Sequence, residues 1–250
     1  MKPIVCTALF FMTCMACTPS GEDAMDLYNE IDMEDDANQL TVEETQNGWS
    51  LLFDGQTTAG WRGYNMDSLP GGWVVEGDAL KVTTEGQKEN LGIITKNIYE
   101  SFALSLECKL TEGANSGLLY QVKEDTAYRY PYETGPEFQI IDHENWATPL
   151  EPWQIMGANY AMYPPKAKPF REVGQWNHLM LVVDGHHVTQ LLNGEVVVDY
   201  EKYSEDWNQR RNSGKWEDFP DWGTFDRGHI ALQNHGAVVW FRDIKLRELD

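Results

Sequence analysis

From Trp49 onward the chain is cut into short segments in which apolar and polar side chains alternate every second residue, and no segment there keeps a long 3.6-residue period. Candidate strands cover 49–53, 73–76, 79–83, 92–95, 101–110, 118–122, 137–142, 176–184 and 187–192. Asn193-Gly194 then reads as a hairpin turn between Leu191-Leu192 and Val196-Val197-Val198, and 229–234 and 238–246 close the series. Short strands with one apolar face each can bury those faces only by packing sheet on sheet. The fold class expected is therefore all-β, a two-sheet antiparallel β-sandwich or barrel with long loops. One domain, 47–250, accounts for all of it. Two stretches break the alternation: 145–172, rich in Pro, Tyr and Trp, and 203–227, which mixes Trp with charge and has room for a short helix. Loops of that length in a compact domain tend to carry function.

The N-terminus reads differently. Lys2 precedes an apolar run over 4–16, too short to span a bilayer, and Thr13-Cys14-Met15-Ala16-Cys17 resembles a lipobox. Residues 1–17 are expected to be a lipoprotein signal peptide with lipidation at Cys17, although cleavage without a lipid fits the same run. The protein would cross the inner membrane and stay lipid-anchored in the cell envelope, at the outer membrane, on its periplasmic or surface side. Residues 18–46 hold ten acids from Glu22 to Glu44 and no base, so a disordered acidic linker is expected, with Met25, Leu27, Ile31 and Met33 as material for one short helix. Of four cysteines only Cys108 falls in the domain, on an apolar strand face, so no disulfide framework forms there. Forty Asp and Glu against nineteen Lys and Arg give a net charge of −21, which disfavours nucleic acid and anionic lipid as partners.

The chemical signal is polar residues on strand faces that should be apolar. Alternation puts Glu137, Gln139 and Ile141 on one face, sets Gln233 and His235 together opposite Ile230 and Leu232, and aligns Arg242 with Trp240, Ile244 and Leu246. A buried arginine must meet a carboxylate, such as Glu137, or line a cleft. Each residue also has a plain structural reading: a bridge for Arg242, a turn residue for His235, sheet edges for the glutamines. Three strands offering polar groups favour a shared cleft. Trp146, Trp153, Tyr160 and Tyr163 on the long loop are candidates for stacking on sugar rings, or for pinning the loop; Tyr120 reads as core. No phosphate loop, zinc spacing or nucleophile elbow is present.

Certain segments are familiar as an ordered set: Leu52-Phe53-Asp54-Gly55 with Gly60-Trp61, Asn115-Ser116-Gly117, Glu137-Phe138-Gln139-Ile140-Ile141-Asp142, and Gln175-Trp176-Asn177. Asn193-Gly194, 228–236 and Phe241-Arg242-Asp243-Ile244 complete it. From about Trp49 to Leu249 the chain resembles the 3-keto-disaccharide hydrolase family, also described as 3-keto-glucoside 1,2-lyase and 3-keto-2-hydroxyglucal hydratase. It departs at Asn234 and Asp243, where the family usually has Asp and Asn, and in a Ser-Lys-Phe element that here reads Ser213-Gly214-Lys215-Trp216. The resemblance implies a concanavalin-A-like jelly roll acting on sugars oxidised at C3. A C3 ketone acidifies the C2 proton, so a base can form an enolate, the C1 substituent can leave, and water can add to the resulting glucal. On that reading Glu137 or Asp142 is the base and His235 its acid/base partner. Arg242, Gln139 and Gln233 hold the keto oxygen and hydroxyls, Asn115 and Ser116 shape the cleft, and Trp146, Tyr163 and Lys215 contact substrate. The resemblance fixes no cofactor; a divalent cation held by carboxylates is an alternative to arginine. The partners implied are a 3-keto carbohydrate substrate and a sugar 3-oxidoreductase that supplies it. Competing readings are a non-catalytic carbohydrate-binding module and a β-glucanase, whose Glu-x-Asp-x-x-Glu pattern would meet Glu137-x-Gln139-x-x-Asp142.

Overall fold

The alternating segments pair into two antiparallel sheets in a computed structural model whose described residues are 21–33, 36–83 and 92–249. The expected signal segment 1–17, Cys17 and residues 18–20 lie outside the described residues. In chain order the strands are β1 (Ser50–Leu51), β2 (Trp61–Gly63), β3 (Trp73–Glu76), β4 (Ala79–Val82), β5 (Ile93–Thr95), β6 (Phe102–Leu110) and β7 (Asn115–Val122). They continue as β8 (Glu137–Ile141), β9 (Trp176–Asp184), β10 (His187–Leu192), β11 (Glu195–Glu201), β12 (His229–Leu232) and β13 (Val239–Glu248). The larger sheet runs β11-β10-β9-β6-β13-β4-β3, with β1 added along β13; the smaller runs β2-β5-β12-β7-β8. The two-sheet antiparallel sandwich expected from the alternation is the fold.

The core lies between the sheets. From β6 it takes Phe102, Leu104, Leu106, Cys108 and Leu110, and from the smaller sheet Leu118, Tyr120, Phe138, Ile140, Ile230 and Leu232. Burying one such side chain contributes about 1.5–3 kcal/mol. Cys108 is a core residue, and burial pushes its thiol pKa well up. At the Asn193-Gly194 turn both residues take φ in the left-handed region (47° and 85°), as a type I′ turn between twisted strands requires.

Two bulges reset the alternation. Asp243 has φ 51°, and the register between β13 and β6 shifts between Arg242 and Lys245. Val239 and Phe241 before it and Ile244 and Leu246 after it all face the core, so Trp240 and Arg242 point outward. Gln121, also at φ 51°, does the same in β7, putting Leu119 and Val122 together on the outer face of the smaller sheet.

Of the stretch 18–46, expected as a disordered acidic linker, the described residues 21–33 and 36–46 are docked on the larger sheet. Helix α1 (Gly21–Asn29) and the following turn bury Ala24 and Ile31, with Trp49, against Ala103, Met180, Val182 and Leu191. Helix α2 (Val42–Gln46) starts on a Thr41–Glu44 capping box. The Glu44 carboxylate is fully buried and meets Lys245 Nζ at 2.8 Å. Asn38 and Asp243 exchange two hydrogen bonds of 2.9 Å, and Glu30 pairs with Arg247. Composition misled here because the bases that neutralise these acids sit two hundred residues away on β13.

The two irregular stretches frame one end of the smaller sheet. In 145–172, Asn159 bridges to Phe138 and extends the edge of β8. In 203–227, α3 (Glu205–Arg211) and a 3₁₀ turn (Gly214–Asp218) stack Trp207, Trp216 and Trp222, with Trp216 and Trp222 4.4 Å apart between ring centroids.

Candidate active site

Across the outer face of the smaller sheet, five strands align Arg62, Ile94, Ala231, Leu119 and Glu137 as successive Cα partners. Arg62, at the far end, is neutralised by Glu124 through a bidentate pair whose Nη2–Oε2 distance is 2.6 Å. Glu137, at the near end, has no such partner. It is 4% exposed, and among the described residues no hydrogen bond reaches its carboxylate. Burial in apolar surroundings raises its pKa, to about 7, against the pull of the Lys215 ammonium.

Lys215 rides on the 3₁₀ turn and places Nζ 4.3 Å from the Tyr160 ring centre, 4.6 Å from Trp216 and 5.2 Å from Tyr132. The cage is tied to Glu137 by its backbone: Tyr160 N–H donates to the Glu137 carbonyl at 2.9 Å, and Trp216 Nε1 donates to the Tyr160 carbonyl at 3.2 Å. Desolvation lowers the lysine pKa while Glu137 raises it. The three ring faces favour the charged, ammonium form. The two charges act on each other without an ion-pair contact inside 4.0 Å. A substrate atom can stand between them.

Beside Leu119 the face opens into a cavity of about 300 Å³ lined by Tyr64, Tyr130, Tyr132, Gln233 and His235, with Arg129 at its rim. Tyr130 and Tyr132 stack at 5.3 Å. Leu119, the strand partner of Glu137, and Tyr132, which carries Lys215, belong to its wall, so cavity and charge pair form one groove.

The structure brings together part of the expected set. Glu137, Lys215, Gln233 and His235 share the groove. Gln139 lies on the same face, with Nε2 donating to the Gln154 carbonyl at 3.1 Å and Oε1 buried without a partner. Asn115 is half-buried, and its buried Oδ1 also lacks a partner. Ser116 faces the core, and its Oγ donates to the Gln233 carbonyl at 2.7 Å, so it fixes the groove floor through the backbone. Asp142 is not placed as a base: it points inward and accepts from Gly113 N at 2.8 Å and from the Asn145 side chain, fastening two loops. Arg242 is not in the groove. Because of the Asp243 bulge it lies on the outer face of the other sheet, paired with Glu107 at 2.7 Å and Asp78 at 3.1 Å. Tyr163 is likewise committed elsewhere, stacked on Tyr200 and donating to Asp206. Trp146 packs half-buried against the core. Among the described residues no cluster of three His, Cys, Asp or Glu could hold a metal ion.

Tyr64, Arg129, Tyr130 and Tyr132 were not anticipated. They lie in segments without alternation, and only the Tyr-Pro-Tyr run at 130–132 hinted at a rigid aromatic wall.

The chain has clear relatives. The family model described as the 3-keto-alpha-glucoside-1,2-lyase-like domain matches residues 48–247. A Bacteroides thetaiotaomicron protein named 3-keto-disaccharide hydrolase is 29% identical over 247 residues, 87% of this chain and 83% of its own length. A crystal structure from Parabacteroides distasonis, of a protein provisionally named a glycosyl hydrolase, superposes with a TM-score of 0.81 at 39% identity, covering 86% of this chain and 100% of that one. A second structure from that organism reaches a TM-score of 0.62 at 26% identity, over 80% and 99% of the two chains.

Proposed function

This chain belongs to the 3-keto-alpha-glucoside-1,2-lyase-like family, as its ordered motifs implied, and we propose that it cleaves 3-keto-glycosides, with net hydrolysis, in the groove of the smaller sheet. The observation that carries this reading is Glu137: a buried carboxylate with no hydrogen-bond partner, poised near neutrality beside an ammonium it does not touch. A residue that served only the fold would be paired. A base must be free to take a proton at neutral pH.

With the C3-oxidised ring against Glu137, the carboxylate removes the C2 proton. The electron pair moves into the C2–C3 bond and onto the C3 oxygen, where the Lys215 ammonium stabilises the enolate. As the enolate collapses, the C1–O bond breaks and the leaving alcohol takes from Glu137 the proton removed from C2, giving a 2-hydroxy-3-keto-glucal and a free carboxylate. Water then adds across C1=C2, its hydroxyl going to C1 while Glu137 takes its proton and passes it to C2. Gln233 and His235 hold hydroxyls of the ring, and the tyrosine-lined cavity receives the remainder of the glycoside.

The reading is tested by incubating the protein with a 3-keto-glucoside in D₂O and following C1 and C2 by NMR. Turnover of the keto sugar with deuterium at C2, none of the unoxidised glycoside, and loss of both signals in Glu137→Gln are expected. Saturable binding without turnover would make this a carbohydrate-binding module instead. The same proposal includes a lipid on Cys17, which would hold the domain in the cell envelope, and a sugar 3-oxidoreductase as the supplier of substrate.

A further inference from the structure

A glycine inside a strand is a weakness: it packs nothing and has more backbone freedom to lose. Gly117 sits within β7, paired on both sides, opposite Gln139 of β8 and with its carbonyl accepting from Gln233 N–H at 2.9 Å. Its φ is not in the left-handed region, so the backbone does not call for glycine. What fills the space above it is Glu137. A Cβ on Gly117 would collide with Oε1 of that residue and lie 2.8 Å from Cδ and 2.9 Å from Cγ. Gly92, on the same groove floor, is different: a Cβ there would meet the Leu232 carbonyl oxygen at 3.0 Å, a close approach of two backbones.

We propose that Gly117 is a positioning residue for the reaction, its bare backbone being what lets the Glu137 side chain lie flat on the sheet with its carboxylate largely withdrawn from water and unpaired. This rests on the reading of Glu137 as the base. Any side chain at 117 lifts the carboxylate off the sheet and gives it back to water. Among the described residues Lys215 is the charged group that acts on it, so rehydration lowers the proton affinity and moves the base away from C2 at once.

Two measurements on the full chain test this. In Gly117→Ala, kcat for a 3-keto-glucoside should fall by about 100-fold, the scale of an ångström's misplacement, with KM little changed and the acid limb of kcat/KM moved to lower pH. In a thermal double-mutant cycle, alanine at 117 should lower Tm in the wild-type background and raise it in Glu137→Ala, where the obstruction is gone and the strand prefers alanine. An unmoved pH profile, or an equal loss of Tm in both backgrounds, overturns the proposal. Should the wild type turn over no keto sugar, the functional reading fails, and the cycle still decides whether Gly117 exists to seat Glu137.

Discussion

On the proposed reading Glu137 is held in a state that favours chemistry over stability, and the sign of that conflict is measurable. A carboxyl whose folded pKa lies above its unfolded value supports folding fully at acid pH and loses that support as pH climbs through about 7. Glu137→Gln should therefore abolish turnover while raising Tm by several degrees at pH 8 and hardly at all at pH 4, which thermal denaturation at the two pH values would read; each pK unit is worth about 1.4 kcal/mol. Lys215→Met should act on the same group from the other side. Without the nearby positive charge the proton is held more tightly, so the acid limb of kcat/KM should move to higher pH, with a fall of about 10-fold or more at neutrality as the enolate loses its counter-charge. Glu137 was legible in the sequence because an acid among apolar strand residues is conspicuous. Its freedom from partners was not, since that depends on what the loops bring near it.

At the scale of elements, period-2 alternation located nearly every strand, and Asn193-Gly194 located its hairpin. The three-residue β2 was too short for any period to show. The bulge at Asp243 was also invisible, and it alone moved Arg242 from one face of its sheet to the other, out of the expected site and into a pair with Glu107. The stretch 21–46 shows the same limit, because its acids read as solvated until their distant bases are in view. It follows that a shortened chain beginning at Trp49 should be a poor substitute for one beginning at Gly21. Trp49, Met180, Val182 and Leu191 would be uncovered and Lys245 would lose Glu44. Stripping one partner from a buried pair costs about 3–5 kcal/mol. Urea unfolding of the two chains should show the longer one more stable by at least that much, and light scattering should find the shorter one associating.

For the whole molecule, the sandwich divides labour between its two outer faces. One carries the groove, with its aromatic wall and charge pair; the other is covered by α1, α2 and the paired cations of β13. Cys17→Ser should shift the protein from the membrane to the soluble fraction of cells while leaving kcat/KM of the purified protein unchanged, because the residue is remote from the groove in function. The docking of α1 also fixes a direction. Gly21 lies on the larger sheet, on the side turned away from Glu137, and four peptide steps, about 14 Å at full stretch, are all that separate it from Cys17. A lipid at Cys17 would thus moor the domain close against its membrane by the back, with the mouth of the groove opening toward whatever sugars drift past.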